Sequence, residues 1–379
     1  MIKKAYKFRF YPTPKQIEQL AHVFGCTRYV YNRSLKIRQE AWYVKHEKID
    51  YHTTSALLTS LKKQPDHRWL NDVSCVPLQQ SLRHLNIAFI NFWSGRTKYP
   101  TFKKLLNKQA AEFTRSAFKW KNDKLTLAKI ENTLDIRLSR KFSGLPTTIT
   151  VSKDPSNRYF VSMLVEEPKQ IKPEVKSTIG IDLGITDICV GSDNFKSGAP
   201  KYSKKYAKKL KRVQQELSRK KKGSANRTKE RLKVAKVHAK ISDSRKDFTH
   251  KLSTKLINEN QVIFVETLAI KNMIKNHKLA KSISDSSWGK LLRQLEYKSN
   301  WYGRTLVGID RWYPSTKRCS VCGYINETLT LSDRTWLCPK CKTNHDRDIN
   351  AAKNIKAVGQ TVLAFGEDVK LVSNISNPR

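Results

Sequence analysis

A chain of 379 residues exceeds one ordinary compact core, so about two to four domains are expected. Lys and Arg outnumber Asp and Glu by 74 to 32, and the net charge of +42 is spread along the chain, which asks for a polyanionic partner, nucleic acid before any other. A hydrophobic share of 39% with 8 Trp, 14 Phe and 14 Tyr excludes a disordered chain, and the lack of a long apolar run argues against a membrane role.

The first ten residues alternate charge with aromatics and offer no apolar core of a secretion signal, so the chain is expected to stay inside the cell. Tyr6, Phe8 and Phe10 alternate with Lys7 and Arg9, predicting a strand over 4–11 with one apolar and one basic face. Thr13-Pro14-Lys15-Gln16 then sets an N-cap, a proline at the first helical position and a capping-box glutamine, with Ile17, Leu20 and Phe24 at helical spacing. Helices are expected to continue to about residue 110, the clearest over 77–94, where Leu78, Leu82, Leu85, Phe89 and Phe92 form one stripe.

Between 112 and 168 the pattern changes to short alternating runs, notably 147–151 and 159–165, separated by the turn residues Asp154-Pro155-Ser156-Asn157. Residues 169–176 have linker composition and mark a domain boundary. A strand, a tight turn at Gly184 and a second strand follow over 177–191. Residues 201–250 hold 19 Lys and Arg against 4 Asp and Glu, yet Tyr206, Leu210, Val213 and Leu217, then Val234, Val237 and Ile241, keep helical period on either side of Lys222-Gly223-Ser224, predicting a basic helical hairpin. A buried strand over 262–265 precedes Glu266, helices fill about 286–303, 306–309 resembles another strand, 346–357 is helical, and the remainder is polar and expected to be loose.

Seven cysteines include Cys319-x2-Cys322-x15-Cys338-x2-Cys341, two knuckles whose four thiolates would close a tetrahedral shell around one structural Zn²⁺ with no open position for catalysis. Cys26, Cys75 and Cys189 read as small buried hydrophobes. Three carboxylates stand out by position: Asp182 ends a strand before Leu183-Gly184, Glu266 ends the later buried strand, and Asp348 opens the helix Ile349-Asn350-Ala351. Strand-end carboxylates converge at one edge of a sheet and suit Mg²⁺ or Mn²⁺, which keep waters for chemistry. The plainer alternatives are a turn residue for Asp182, a solvated Glu266 and a helix N-cap for Asp348.

These stretches, together with 217–224, Asp247-Phe248-Thr249-His250, Asn272-Met273, Trp288-Gly289, Leu295-Glu296-Tyr297-Lys298 and His345-Asp346-Arg347-Asp348, run in one order from about 179 to 356. In that order the chain resembles TnpB, the insertion-sequence-encoded relative of the type V CRISPR nucleases, with a looser match in the N-terminal third through Phe10-Tyr11-Pro12, 28–32 and 78–82. The resemblance implies an α/β multidomain protein: a wedge-like β-barrel in two parts (1–12 and 112–175), an inserted helical recognition domain (13–111), an RNase H-like (RuvC-like) nuclease (176–314 and 343–360, with the basic hairpin at 201–258), an inserted zinc ribbon (315–342) and a flexible tail (361–379). It also implies Asp182, Glu266 and Asp348 as catalytic metal ligands, one guide RNA per protein, and double-stranded target DNA beside a short transposon-adjacent motif, in the cytoplasm and nucleoid of a prokaryote.

Gln79 and Ser81 occupy the helix positions most like the family's motif readers, and Arg219, Lys220, Lys221, Lys222 and Lys229 are candidate RNA contacts. One departure stands before the first zinc cysteine, where Ser315-Thr316-Lys317-Arg318 puts cations in place of the usual amide. Dispersed cations suit this division of labour, since backbone contacts hold a heteroduplex while base pairing reads sequence. The rival readings are a transposase performing strand transfer with the same carboxylates, a guide-dependent repressor that has lost cleavage, and a zinc-ribbon nucleic-acid-binding protein without catalysis.

Overall fold

The computed structural model describes residues 1–330 and 332–365, which form two compact units: Met1–Pro168 with Arg231–Lys236, and Lys169–Glu230 with the chain from Val237 onward. The first unit runs β1 (Ile2–Phe10), α1 (Pro14–Lys45), α2 (Tyr51–Lys63), α3 (Cys75–Trp93), β2 (Gln109–Thr114), β3 (Phe118–Lys121), β4 (Lys124–Leu127), β5 (Ile136–Arg137), β6 (Pro146–Lys153) and β7 (Tyr159–Glu167). Five of its strands make an antiparallel sheet in the order β2-β6-β7-β1-β5, with Phe8 opposite Val161 and Phe10 opposite Tyr159. The three helices therefore interrupt a sheet whose strands come from both sides of them in sequence.

Local chemistry explains each boundary. Thr13 and Gln16 exchange the reciprocal bonds of a capping box in front of α1, with Pro14 in the first turn. Asn122 and Asp123 both take positive φ, 50° and 58°, the pair of left-handed residues that a two-residue hairpin between β3 and β4 requires. Asp154 closes the β6–β7 turn by accepting from the amides of Ser156 at 2.9 Å and Arg158 at 3.0 Å.

Packing corrects two expectations. Ile17 is 40% exposed, and Gln16 is buried in its place, because its side-chain amide donates to the carbonyls of Glu131 and Thr133. The last of these helices stops at Trp93 instead of continuing to about residue 110. The stripe on α3 is otherwise as the spacing predicts, with Leu78, Leu82, Leu85 and Phe89 buried and Phe92 half-buried.

The second unit runs β8 (Thr178–Asp182), β9 (Val190–Gly191), α4 (Tyr202–Lys205), α5 (Ala207–Ser218), α6 (Ala225–Glu259), β10 (Val262–Glu266), α7 (Ile270–Met273), α8 (Ala280–Ser286), α9 (Trp288–Tyr302), β11 (Thr305–Ile309), β12 (Thr335–Leu337), β13 (Asn344–Asp346) and α10 (Arg347–Phe365). Its main sheet has the order β11-β10-β8-β9, the first three strands parallel and β9 antiparallel. Near-continuous apolar runs in β10 and β11 fit strands covered on both faces. Ile263, Val265, Ile179 and Ile181 pack with Leu256 of α6 and Leu291 and Leu295 of α9, while Phe264, Val307 and Ile309 pack with Ile355 of α10.

Two glycines let α10 lie close against the sheet. A Cβ on Gly180 would collide with the carbonyl of Ala352 and stand 2.6 Å from the amide of Lys356, and one on Gly359 would run into the Phe264 ring. The helical hairpin forms as its spacing predicts, α5 and α6 joined through Gly223 at φ 86°. Two boundaries shift. The strand β13 pairs with β12, so the four-cysteine segment continues past 342 to Asp346. Helix α10 extends to Phe365, into the stretch expected to be loose, and residues 366–379 lie outside the described residues.

Candidate functional site

Asp182 and Glu266 are the last residues of β8 and β10. Those strands are parallel neighbours, and Ile181 faces Val265 in register, so the next step along each strand brings the two carboxylates side by side at the same edge, on the same face. Each keeps some exposure there. Asp348 arrives from the other direction, in the first turn of α10, which Gly180 admits against β8.

The electrostatics bind the three into one group. Burial, then repulsion by Glu266 and Asp348, pushes the Asp182 carboxyl up to about 8, against the opposing pull of Arg347 and the Leu183 amide. Burial also raises Glu266, partly countered by the Ser315 hydroxyl, which donates to its Oε1 at 2.7 Å. Asp348 pairs with Arg347 at 3.0 Å and with Arg334 at 3.5 Å. Mutual repulsion at an open sheet edge is the donor set that a hard cation would relieve, so these oxygens fit Mg²⁺ or Mn²⁺.

The helix N-cap alternative for Asp348 fails on geometry. Asp346 does the capping, its Oδ1 accepting from the amides of Asp348 and Ile349, both at 3.1 Å, while its Oδ2 takes Lys196 at 2.7 Å. The carboxylate of Asp348 is thereby released from backbone duty. Glu266 is likewise no freely solvated side chain, given its bond to Ser315.

The four cysteines converge, with all Sγ atoms within 4.8 Å of one another and the pairs Cys319–Cys341 and Cys322–Cys338 each at 3.6 Å. Zn–S bonds of about 2.3 Å give a tetrahedral edge of about 3.8 Å, so this spacing fits a Zn²⁺ shell. Both knuckles use a left-handed residue four places after the first cysteine, Gly323 at φ 76° and Lys342 at φ 57°. His345 Nε2 stands 3.0 Å from Cys319 Sγ, outside the thiolate set. Among the described residues no other His, Cys, Asp or Glu group is as tight, so Asp182, Glu266 and Asp348 are spread more widely than the thiols.

Two further asparagines join the centres. Asn350 and Asn354, both buried on α10, donate to the Arg318 carbonyl, and Asn354 also reaches the carbonyl of Ser315 at 2.8 Å. Sequence reasoning passed over Ser315, Asp346, Asn350 and Asn354 as functional residues. The signal for Asp346 was present, since it stands two places before Asp348, where a cap accepts from the helix's first amides.

The remaining candidates divide. Gln79 is exposed on α3, and Arg219, Lys220, Lys221, Lys222 and Lys229 are all exposed at the turn end of the hairpin. Ser81 is buried at 3% exposure and donates to the Thr27 carbonyl at 2.8 Å, so the structure removes it from the candidate nucleic-acid contacts. Cys26 and Cys189 are buried as expected for small hydrophobes, whereas Cys75 is exposed at the start of α3. No helix among the described residues is long and apolar enough to cross a membrane.

Family models match at residues 160–277 ("Probable transposase", IS605 OrfB), 288–355 (Cas12f1-like TNB domain) and 1–48 (a helix-turn-helix domain), although here 1–48 forms β1 and one uninterrupted helix. A Streptomyces pristinaespiralis protein provisionally named an RNA-guided DNA endonuclease is 48% identical over 372 residues, covering 97% of this chain and 92% of that protein. The Escherichia coli protein InsQ, provisionally named in the same way, is 30% identical over 385 residues, covering 97% and 95%.

Among solved structures, the fold is similar to Cas12f1 in its complex with single-guide RNA and target DNA (TM-score 0.57, 15% identity, 92% of this chain and 83% of that one). It is also similar to the mini RNA-guided endonuclease CRISPR-Cas phi3 (TM-score 0.51, 10% identity, 94% and 92%). The two near-full-length relatives, with the matched family models, establish that the chain belongs to the TnpB family.

Proposed function

We propose that the chain is an RNA-guided DNA endonuclease that hydrolyses guide-matched double-stranded DNA beside a short adjacent motif, with Asp182, Glu266 and Asp348 as its metal-holding catalytic residues. The observation that carries this reading is the register that sets Asp182 and Glu266 side by side on parallel strands, with Asp348 raising the Asp182 pKa from α10. Bound at these carboxylates, Mg²⁺ or Mn²⁺ would supply Lewis-acid activation of water and of the leaving oxygen. The chain's own part is to hold the oxygens at one open edge, with Ser315 orienting Glu266 and Asp346 freeing Asp348. The second unit reads as a RuvC-like nuclease, the first as a wedge-like barrel carrying a helical recognition domain, and the four thiols as a closed structural Zn²⁺ site.

RNA and DNA are the partners that a net charge of +42 favours, and the exposed cations of the hairpin tip, Arg219, Lys220, Lys221, Lys222 and Lys229, are proposed to hold the guide RNA backbone. Gln79, exposed above the buried stripe of α3, is proposed to read the adjacent motif. The deciding experiment pairs cleavage of a plasmid bearing a guide-matched target with binding of the same DNA. Asp182→Asn, Glu266→Gln and Asp348→Asn are each expected to abolish cutting and to retain binding, and wild-type cutting should stop in excess chelator. A protein that copurifies with no discrete RNA would point instead to strand transfer by a transposase.

A further inference from the structure

The loop that leaves β11, residues 310–314, has both of its ends tied to Glu266. At one end Ile309 is the register partner of Glu266, and the Thr267 hydroxyl donates to the Ile309 carbonyl at 2.8 Å. At the other end the Ser315 hydroxyl donates to Glu266 at 2.7 Å. Between them stands Trp312, 80% exposed, and no aromatic side chain among the described residues is more exposed. A lone exposed tryptophan is ordinary on a protein surface; this one is set apart by its place.

Three residues separate Trp312 from Ile309 and three from Ser315, so at about 3.3–3.6 Å per residue its Cα lies at most about 11 Å from each. The loop is held at several points. The Trp312 amide donates to Asp310 Oδ1 at 2.6 Å, the Ser315 amide donates to the Tyr313 carbonyl at 2.8 Å, and Tyr313 packs on Phe264, Val307, Ile309 and Ile355. Tyr313 thus joins the core and Trp312 is left in water. A strand held by one phosphodiester at the carboxylates extends about 3.4 Å per stacked nucleotide, so its third nucleotide is as far out as this tip can be.

The chemistry of the tip suits such a strand. The Arg311 guanidinium lies over the Trp312 ring, 4.9 Å from its centre, and at 80% exposure the opposite face is open. An indole face stacks on any base whatever the sequence, and a guanidinium beside it meets phosphate. Bases inside a duplex are covered on both faces by their neighbours, so the open face selects an unpaired one. A protein partner would have to bury the exposed charges of Asp310 and Arg311 along with the ring, at a desolvation cost. Asp310 opposes a polyanion as well, but its carboxylate is turned to the Trp312 amide.

We propose that Trp312 is a positioning residue whose open face stacks on an unpaired base of the DNA strand being cut, within about three nucleotides of the scissile phosphodiester. The inference rests on the nuclease reading and deepens it, since it makes the immediate substrate of the carboxylate edge a single strand. Opened target DNA offers two strands, and the experiment tells which.

The test is single-turnover cleavage by the full-length chain with the RNA it retains. Wild type, Trp312→Ala and Trp312→Tyr each receive guide-matched DNA with an abasic residue at successive positions around the cut, first in one strand and then in the other. On intact DNA at saturation, Trp312→Ala should cut about tenfold more slowly while binding that DNA and unfolding thermally like wild type, and Trp312→Tyr should recover most of the rate. At one position near the cut, the abasic residue should slow wild type about tenfold and Trp312→Ala no further, because the stacked pair is already broken; the strand in which this occurs is the one held.

A wild-type rate in Trp312→Ala, or abasic penalties that multiply with that of the variant at every position in both strands, would overturn the proposal with the nuclease reading intact. If wild type cuts no guide-matched DNA, the nuclease reading fails and the proposal falls with it.

Discussion

Ser315 and Glu266 stand 49 positions apart, yet the Ser315 hydroxyl donates to Oε1 of Glu266 across 2.7 Å, and the Ser315 carbonyl is itself held by Asn354 at 2.8 Å. One serine thus ties the entry of the cysteine segment, the end of β10 and the helix α10 to a single carboxylate. Removing a hydrogen bond to a charged acceptor costs about 1.5–3 kcal/mol where it is buried. Ser315→Ala is expected to slow cleavage about tenfold and to raise the half-saturating Mg²⁺ concentration, with Ser315→Thr near wild type in both. An unchanged Mg²⁺ dependence in the alanine variant would show that the hydroxyl does not orient Glu266.

Gly180 and Gly25 make a contrasting pair. A methyl group at Gly180 meets backbone, the Ala352 carbonyl and the Lys356 amide, which cannot step aside without moving α10 and Asp348 with it. Gly180→Ala should destabilise the protein by about 1–3 kcal/mol and impair cleavage. Gly25 lies inside α1 with nothing within 4 Å of its would-be Cβ, so Gly25→Ala should stabilise by about 0.5–1 kcal/mol. Denaturant unfolding of both variants checks the two signs.

The thiol spacing of 3.6 Å in each pair leads us to expect about one Zn²⁺ per purified chain. Cys338 is fully buried, so Cys338→Ser should lose the metal together with solubility. Adding Zn²⁺ should not replace Mg²⁺ in cleavage, because soft thiolates and hard carboxylates select different ions. Elemental analysis of well-folded wild type that finds no zinc removes this assignment.

Lys298 on α9 is buried and directs all three ammonium donors at α6: to the His250 carbonyl at 3.0 Å and to the hydroxyls of Ser253 and Thr254 at 2.7 Å each. Burial nevertheless lowers its pKa from 10.5 to about 8. Between those values the unfolded chain binds the extra proton, so this group's contribution to stability rises with pH across that window and is constant below it. Relative to Lys298→Met, wild type should gain up to about 3 kcal/mol in unfolding free energy from about pH 8 to above 10. Parallel pH profiles for the two proteins would exclude a lowered Lys298 pKa.

What the sequence determined by itself was local: the capping box of Thr13 and Gln16, the turn at Gly223 between two basic helices, the knuckle spacing of Cys319, Cys322, Cys338 and Cys341, and the strand ends at Asp182 and Glu266. Each is encoded within a few residues, by period, by turn chemistry or by a ligand interval. What only the tertiary structure decided was which partner each side chain meets. Gln16 is buried and Ile17 exposed because the Glu131 and Thr133 carbonyls lie over one face of α1. Ser81 is lost to the core because Thr27 faces it across two helices. Asp348 is spared the capping role because Asp346 caps its helix, and its charge acts on Asp182 because Gly180 lets α10 close on the strand. Strand register and helix depth are set by packing between segments far apart in sequence, and the spacing of residues along either segment does not encode them.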